Sequence, residues 1–208
     1  MPSPELNMKN ITCKRGHKTL FSDFSLALSS GDLIQITGAN GSGKTSLIRM
    51  IAGLLPVTAG KITWQSEDIH GDDPKSYQKN VRLVCPQNPM KNALTVYENL
   101  SFWAEIYQQD NATTITKALQ KMGIDNLAEL PFQHLSSGQQ AKVNLARLWL
   151  SPAKIWLLDE AFNAFDQESC HALCQDVLKF CNEGGIVIFT SHFDLLLNQA
   201  AKKVELGA

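Results

Sequence analysis

Eight consecutive residues limit this chain more than any others: Gly38-Ala39-Asn40-Gly41-Ser42-Gly43-Lys44-Thr45. They fit G-x-x-x-x-G-K-[ST]. An apolar run, Leu33-Ile34-Gln35-Ile36-Thr37, precedes them, and a stretch with helical spacing at Leu47, Ile48, Met50 and Ile51 follows. Strand, glycine loop and helix in that order suit a phosphate group for a physical reason. Triphosphate oxygens need many convergent N–H donors, and only a loop without side-chain bulk lets the backbone approach them. The following helix turns its positive end toward the anion. On this reading the whole loop, with Ser46, binds a nucleotide such as ATP. The Lys44 ammonium reaches the β- and γ-phosphates as a catalytic group, and the Thr45 hydroxyl is a ligand for Mg2+.

Strands and helices alternate along the rest of the chain, which predicts an α/β fold. Lys61–Trp64, Val81–Cys85, Ile155–Leu158 and Ile186–Phe189 read as further strands. Thr95-x-x-Glu98 is a capping box that opens a helix to about Tyr107, and another helix runs from about Thr113 to Met122, stopped by Gly123. Further helices are predicted from Ser136 to about Leu150, from Gln167 to Cys181, and near Asp194–Ala200. The reading is one domain over residues 1–208 with a helical insert at about 89–150, and too little chain after His192 for a C-terminal regulatory domain.

Composition narrows the setting. Lys+Arg is 19 against Asp+Glu 20, a net charge of −1, so there is no basic face to predict nucleic-acid binding. No apolar run approaches the ~18 residues of a membrane helix, and MPSPELNMKN lacks the core of a secretory signal. The expectation is a cytoplasmic chain whose membrane work, if any, is done by another subunit. Five cysteines, an odd number, fit reduced thiols. Cys170, His171, Cys174 and Cys181 could suggest a metal or haem site, and Cys85-Pro86 a haem contact. The plainer reading is small, semi-buried side chains on one helix.

Ile155-Trp156-Leu157-Leu158-Asp159-Glu160 is a buried-strand pattern ending in two carboxylates. In an open parallel sheet, ligands lie at the carboxyl ends of strands. Asp159 is then placed to hold Mg2+ through water, and Glu160 to polarise the attacking water as catalytic base. Leu135-Ser136-Ser137-Gly138-Gln139-Gln140 opens a helix. Ser136-x-x-Gln139 is a plain capping box, but a helix start carrying Ser and Gly is also a second anion site.

With that segment the chain resembles the ATP-binding cassette (ABC) family, whose signature is LSGGQ; Ser137 replaces the first glycine. The resemblance implies a P-loop NTPase fold with a RecA-like core, an N-terminal antiparallel β lobe and a helical insert. It implies that Ser136, Ser137, Gly138 and Gln139, with Asp166, meet nucleotide held by a facing copy in an ATP-bound dimer. It makes Gln87 a Mg2+ and water contact, and His192 a catalytic switch that hydrogen-bonds the γ-phosphate beside Glu160. It puts Arg15 where the family stacks adenine on an aromatic ring, with His17 as a second candidate. The stretch Glu160-Ala161-Phe162-Asn163-Ala164-Phe165-Asp166 departs from the family's E-P-x-x-x-L-D at Ala161 and Phe165.

Within the family the chain is most similar to the haem-exporter ATPases of cytochrome c maturation, on its small size, Cys13-Lys14-Arg15-Gly16, Gly60-Lys61-Ile62-Thr63-Trp64 and Ala146-Arg147-Leu148-Trp149-Leu150. That implies peripheral attachment to the cytoplasmic face of a bacterial inner membrane. It also implies membrane-spanning partners of the CcmB and CcmC kind, with ATP hydrolysis driving haem export or release of a haem-loaded chaperone. The alternatives are the ATPase of another small transporter, or a soluble ABC ATPase of iron–sulfur assembly. A small-molecule kinase with the same phosphate loop leaves the signature and His192 unexplained.

Overall fold

The structure is a computed structural model that describes residues 5–107, 112–163, 165–193 and 195–206. The chain opens with β1 (Leu6–Arg15) and β2 (Lys18–Leu28), an antiparallel hairpin. β3 (Leu33–Thr37) leads through the glycine loop into α1 (Lys44–Ile51). β4 (Ala59–Trp64) and β5 (Glu67–Asp68) return to the hairpin, giving one antiparallel sheet in the order β2-β1-β4-β5. After α2 (Pro74–Gln78) come β6 (Val81–Val84), α3 (Val96–Ile106), α4 (Ala112–Lys121) and α5 (Ser137–Ala146). β7 (Ile155–Asp159), α6 (Gln167–Asn182), β8 (Ile186–Thr190), α7 (Leu197–Ala200) and β9 (Lys202–Glu205) complete the described chain. The second sheet has the order β6-β7-β8-β3-β9, and every pair in it is parallel.

A parallel sheet is covered on both faces, so its central strands are apolar throughout rather than alternating. β7 and β8 are buried at every position. Their side chains divide by the two-residue period of a strand. Ile155, Leu157, Ile186 and Ile188 pack with α1 and the antiparallel sheet, whereas Trp156, Leu158, Val187 and Phe189 pack with Leu173 and Val177 of α6. α1 is thus gripped between the two sheets, with Leu47, Ile48, Met50 and Ile51 buried against Leu6, Met8 and Ile11 of β1.

The helices α3, α4 and α5 build a third cluster around Val96, Leu100, Ile115, Leu119, Phe132 and Val143. The Thr95 capping box forms as read from the sequence. Two buried arginines tie this cluster to the parallel sheet, and neither has a carboxylate partner among the described residues. Arg82, 2% exposed, donates to the carbonyls of Lys79, Val81 and Pro152 and to the Ser151 hydroxyl; its guanidinium lies 3.8 Å from the centre of the Tyr107 ring. Arg147 lies 3.8 Å from the Trp103 ring centre and donates to Asn144 Oδ1 and the Tyr107 hydroxyl. Carbonyl dipoles and aromatic faces offset the desolvation of both cations.

Some predicted boundaries move. The helix expected from Ser136 to Leu150 is α-helical only to Ala146; Arg147–Trp149 tighten into a 3-10 turn, and Pro152 blocks any continuation. The strand expected at Lys61 begins at Ala59, where Thr12 of β1 supplies a partner that sequence patterning does not reveal. The helix expected near Asp194 starts at Leu197, and Asp194 itself lies outside the described residues.

Arg82→Ala should lower stability by about 2–4 kcal/mol in urea denaturation, because it withdraws a donor from three backbone carbonyls at once. Arg82→Lys should recover little of this, since one ammonium cannot reproduce the planar fork or the stacking on Tyr107.

Candidate functional site

The phosphate loop is shaped by crowding as much as by motif. Gly38 and Gly43 take φ of 135° and 106°, where a side chain is strained. A Cβ on Gly38 would lie 2.5 Å from the Leu206 carbonyl oxygen, and one on Gly43 would lie 2.9 Å from the Phe21 ring. α1 starts at Gly43 with no side-chain cap and no acidic residue in its first turn. By contrast α3, α5 and α6 are capped by Thr95, Ser136 and Asp166. The first N–H groups of α1 are therefore left for an external anion. Lys44 Nζ lies back on the loop, donating to the carbonyls of Gly38 at 2.8 Å and Ala39 at 3.1 Å. Ser42 Oγ is buried with no partner among the described residues. An uncapped helix start, a folded-back lysine and an orphaned hydroxyl all fit a phosphate ligand. Ser46 is buried, and hydrogen-bonds the Cys13 thiol of β1.

Sheet order then assembles the rest. β6, β7, β8 and β3 lie side by side and parallel, so their carboxyl ends deliver Gln87, Asp159 with Glu160, His192 and the phosphate loop to one edge. Asp159 pairs in register with Thr190. The Thr190 hydroxyl donates to Asp159 Oδ1 at 2.8 Å and accepts from the Glu160 N–H at 2.9 Å. Asp159 is buried, whereas the Glu160 carboxylate turns outward. Glu160 Oε1 lies 3.3 Å from His192 Nε2, and Oε2 accepts from Asn163 Nδ2 at 3.0 Å. Glu160 itself has φ 51°, a left-handed conformation rare outside glycine. A proline at 161 would press the residue before it toward extended backbone; Ala161 imposes no such constraint. Phe162 and Phe165 anchor the following stretch against the core, and Ala164 lies outside the described residues.

Gln87 follows β6 in an exposed position, and its Oε1 accepts from Arg49 Nη2 at 2.6 Å. Thr45, Gln87 and Asp159 offer a hydroxyl, an amide oxygen and a carboxylate, all hard oxygen donors of the kind Mg2+ takes. Ser136 caps α5 in a closed box: its hydroxyl accepts from the Gln139 N–H, and Gln139 Oε1 accepts from the Ser136 N–H. Ser137 and Gly138 begin the helix with N–H groups that have no partner four residues back. Ser136, Gly138 and Gln139 share a cavity of about 320 Å³ with Lys142 and Asp166, and no phosphate-loop residue lines it. The Ser169 N–H, bonded to Asp166, holds that carboxyl below its ordinary range. Arg15 ends β1, exposed, opposite Lys18; Leu20 and Phe21 of the same hairpin reach Gly43.

Three contacts escaped the sequence reading: Arg49 on Gln87, Asn163 on Glu160, and Thr190 between the Asp159 carboxylate and the Glu160 N–H. Asn163 has a local signal, an amide three residues beyond a candidate base. The other two depend on which strands become neighbours. The thiols of Cys174 and Cys181 are pushed up to about 11 by burial. Among the described residues no three His, Cys, Asp or Glu side chains are grouped to hold a metal.

Comparison with known proteins agrees with this geometry. The family model described as ABC transporter matches residues 21–163. A protein of Vibrio cholerae called cytochrome c biogenesis ATP-binding export protein CcmA is 40% identical over 97% of this chain and 98% of its own length. Proteins of the same name from Escherichia coli and Yersinia pestis are 40% and 39% identical over 96% and 91% of this chain, and 93% and 87% of their own. In fold, the chain is similar to an ATP-binding subunit of an ABC transporter, with TM-score 0.87 at 21% identity over 97% of this chain and 85% of that one. A second solved structure, from Pyrococcus furiosus and described as a putative ABC transporter ATP-binding protein, has TM-score 0.81 at 24% identity over 97% and 96%. The phosphate loop at the edge of a parallel sheet, the matched family model and relatives 40% identical over nearly the whole chain lead to one conclusion: this chain belongs to the ABC transporter family and carries its ATP-hydrolysing domain.

Proposed function

We propose that the chain is the energy-coupling ATPase subunit of a membrane exporter serving cytochrome c biogenesis. On this reading two copies work together on the cytoplasmic face of a bacterial inner membrane, beneath separate membrane-spanning subunits. The names of relatives that match almost end to end support the process. No described helix is long and apolar enough to cross a membrane, which supports leaving the span to other subunits. The observation that carries the chemistry is the 3.3 Å contact between Glu160 and His192 at the sheet edge that also bears the phosphate loop.

In the proposed cycle the first-turn N–H groups of α1 and the loop backbone take the triphosphate, and Lys44 leaves the Gly38 and Ala39 carbonyls for the β- and γ-phosphates. Thr45, Asp159 and Gln87 are the residues that would hold Mg2+. Bound there, Mg2+ would neutralise charge on the phosphate oxygens. Glu160 accepts a proton from the attacking water, with Asn163 and His192 holding its two oxygens in line. His192 also reaches the γ-phosphate. The first turn of α5 (Ser136 to Gln139) and Asp166 seal the nucleotide of the facing copy. The three-helix insert carries the change to the spanning subunit. Residues 1–208 act as one domain, with the insert at about 89–150 moving as its second lobe. Arg15 stacks on the base at the rim of the hairpin.

Lys44→Ala should abolish ATP binding in a fluorescence titration. Glu160→Gln should keep binding, slow phosphate release at least about 100-fold, and trap an ATP-bound dimer on size exclusion; normal turnover in this variant overturns Glu160 as base. Ser136→Arg should bind ATP normally and fail to hydrolyse it, because its contact is made across two copies. Normal rates would remove the shared site. Disrupting the gene in its host should remove covalently attached haem from c-type cytochromes in peroxidase-stained gels. Unchanged staining overturns the export role and leaves the ATPase intact.

A further inference from the structure

We propose that Arg49 is a positioning residue that sets how strongly the site gains affinity from Mg2+, by holding the side-chain oxygen of Gln87 in competition with the cation. This rests on the reading of Gln87 as a Mg2+ contact. Arg49 lies in the last turn of α1, outside the phosphate loop, and its backbone carbonyl accepts from the N–H groups of Leu54 and Leu55 at 2.9 and 3.2 Å. Its Nη2 donates to Gln87 Oε1 at 2.6 Å, a short, charge-assisted bond. An amide has one oxygen, and its NH2 group cannot ligate a cation. Guanidinium and Mg2+ therefore compete for the same atom, and two like charges on one oxygen repel, an effect that solvent weakens at this exposed bond.

The surroundings favour an exchange of the side chain alone. β6 and the residue after it are fixed: Asn144 Nδ2 donates to the Cys85 carbonyl at 3.2 Å, and Arg147 in turn donates to Asn144 Oδ1 at 2.8 Å. Arg49 is fixed at the other end by the packed helix α1. The Gln87 side chain, exposed between these anchors, swings between the guanidinium and the cation position. Arg49 thus places a tethered positive charge on the oxygen that Mg2+ needs, and uptake of the cation includes the loss of that bond.

The test is the affinity for a fluorescent non-hydrolysable ATP analogue, measured by anisotropy with Mg2+ and again with EDTA. The readout is the ratio of the two affinities. A general loss of positive charge near the triphosphate weakens both and cancels. Arg49→Ala should raise the ratio about three- to tenfold, the worth of one charged hydrogen bond discounted for exposure. Arg49→Lys, which keeps the charge and shortens the reach, should fall between and serves where the alanine variant does not fold. Gln87→Ala should lower the ratio, and adding Arg49→Ala to it should change nothing further. An unchanged ratio in both Arg49 variants, or an equal rise in the Gln87→Ala background, overturns the inference while the lowered ratio in Gln87→Ala keeps Gln87 as a Mg2+ contact. No effect of Gln87→Ala removes that contact and the inference with it.

Discussion

A helix leaves its first N–H groups without partners, and at α1 the capping position is Gly43, which has no side chain to supply one. The rest of the nucleotide edge is arranged around that deficit. The left-handed glycines at 38 and 43 bring the loop round in front of the helix start, and Leu206 and Phe21 press on it from behind. The Lys44 ammonium, lying on two loop carbonyls, is held locally until an anion offers a better partner. Among the described helices, α2, α3, α5 and α6 close their starts with Asp73, Thr95, Ser136 and Asp166, whereas α1 opens on glycine.

The parallel sheet turns this local deficit into a chemical site. Each strand of β6-β7-β8-β3 ends at the same edge, which collects Gln87, Asp159 with Glu160, His192 and the glycine loop there. Thr190 joins two of these strands through a single hydroxyl that bonds the Asp159 carboxylate and the Glu160 N–H. That bond pins a backbone turn whose left-handed geometry costs on the order of 1 kcal/mol. The turn sends two adjacent carboxylates in different directions: Asp159 stays within the edge, and Glu160 faces out to His192 and Asn163.

Two buried guanidiniums extend the same edge into the helical insert. Arg82 departs from the apolar pattern of β6 and reaches Tyr107 of the insert and the turn before β7, while Arg147 bridges the end of α5 to Trp103 of α3. Neither has a carboxylate partner among the described residues, so Arg82 depends on oriented carbonyls and Arg147 on the Asn144 amide and Tyr107 hydroxyl, each with a ring face. A movement of the insert relative to the sheet disturbs these contacts, and with them β6, the strand that leads to Gln87.

Much of this was legible before any coordinates. The phosphate loop announces itself because its glycines, lysine and threonine must be contiguous to do their work. The Asp159-Glu160 pair and the capping boxes at Thr95 and Ser136 are legible for the same reason, being local. The antiparallel lobe entered only through family likeness, since β1 and β2 carry irregular register and no clean alternation. Arg49 on Gln87 and Thr190 on Asp159 are contacts across 38 and 31 positions, and they exist because particular strands and a helix become neighbours. Residues close in sequence share constraints that a motif can record. Residues joined by strand order share nothing in the sequence until the sheet has assembled, so the sequence alone determined which groups could meet a phosphate, and the tertiary structure decided which groups hold those in place.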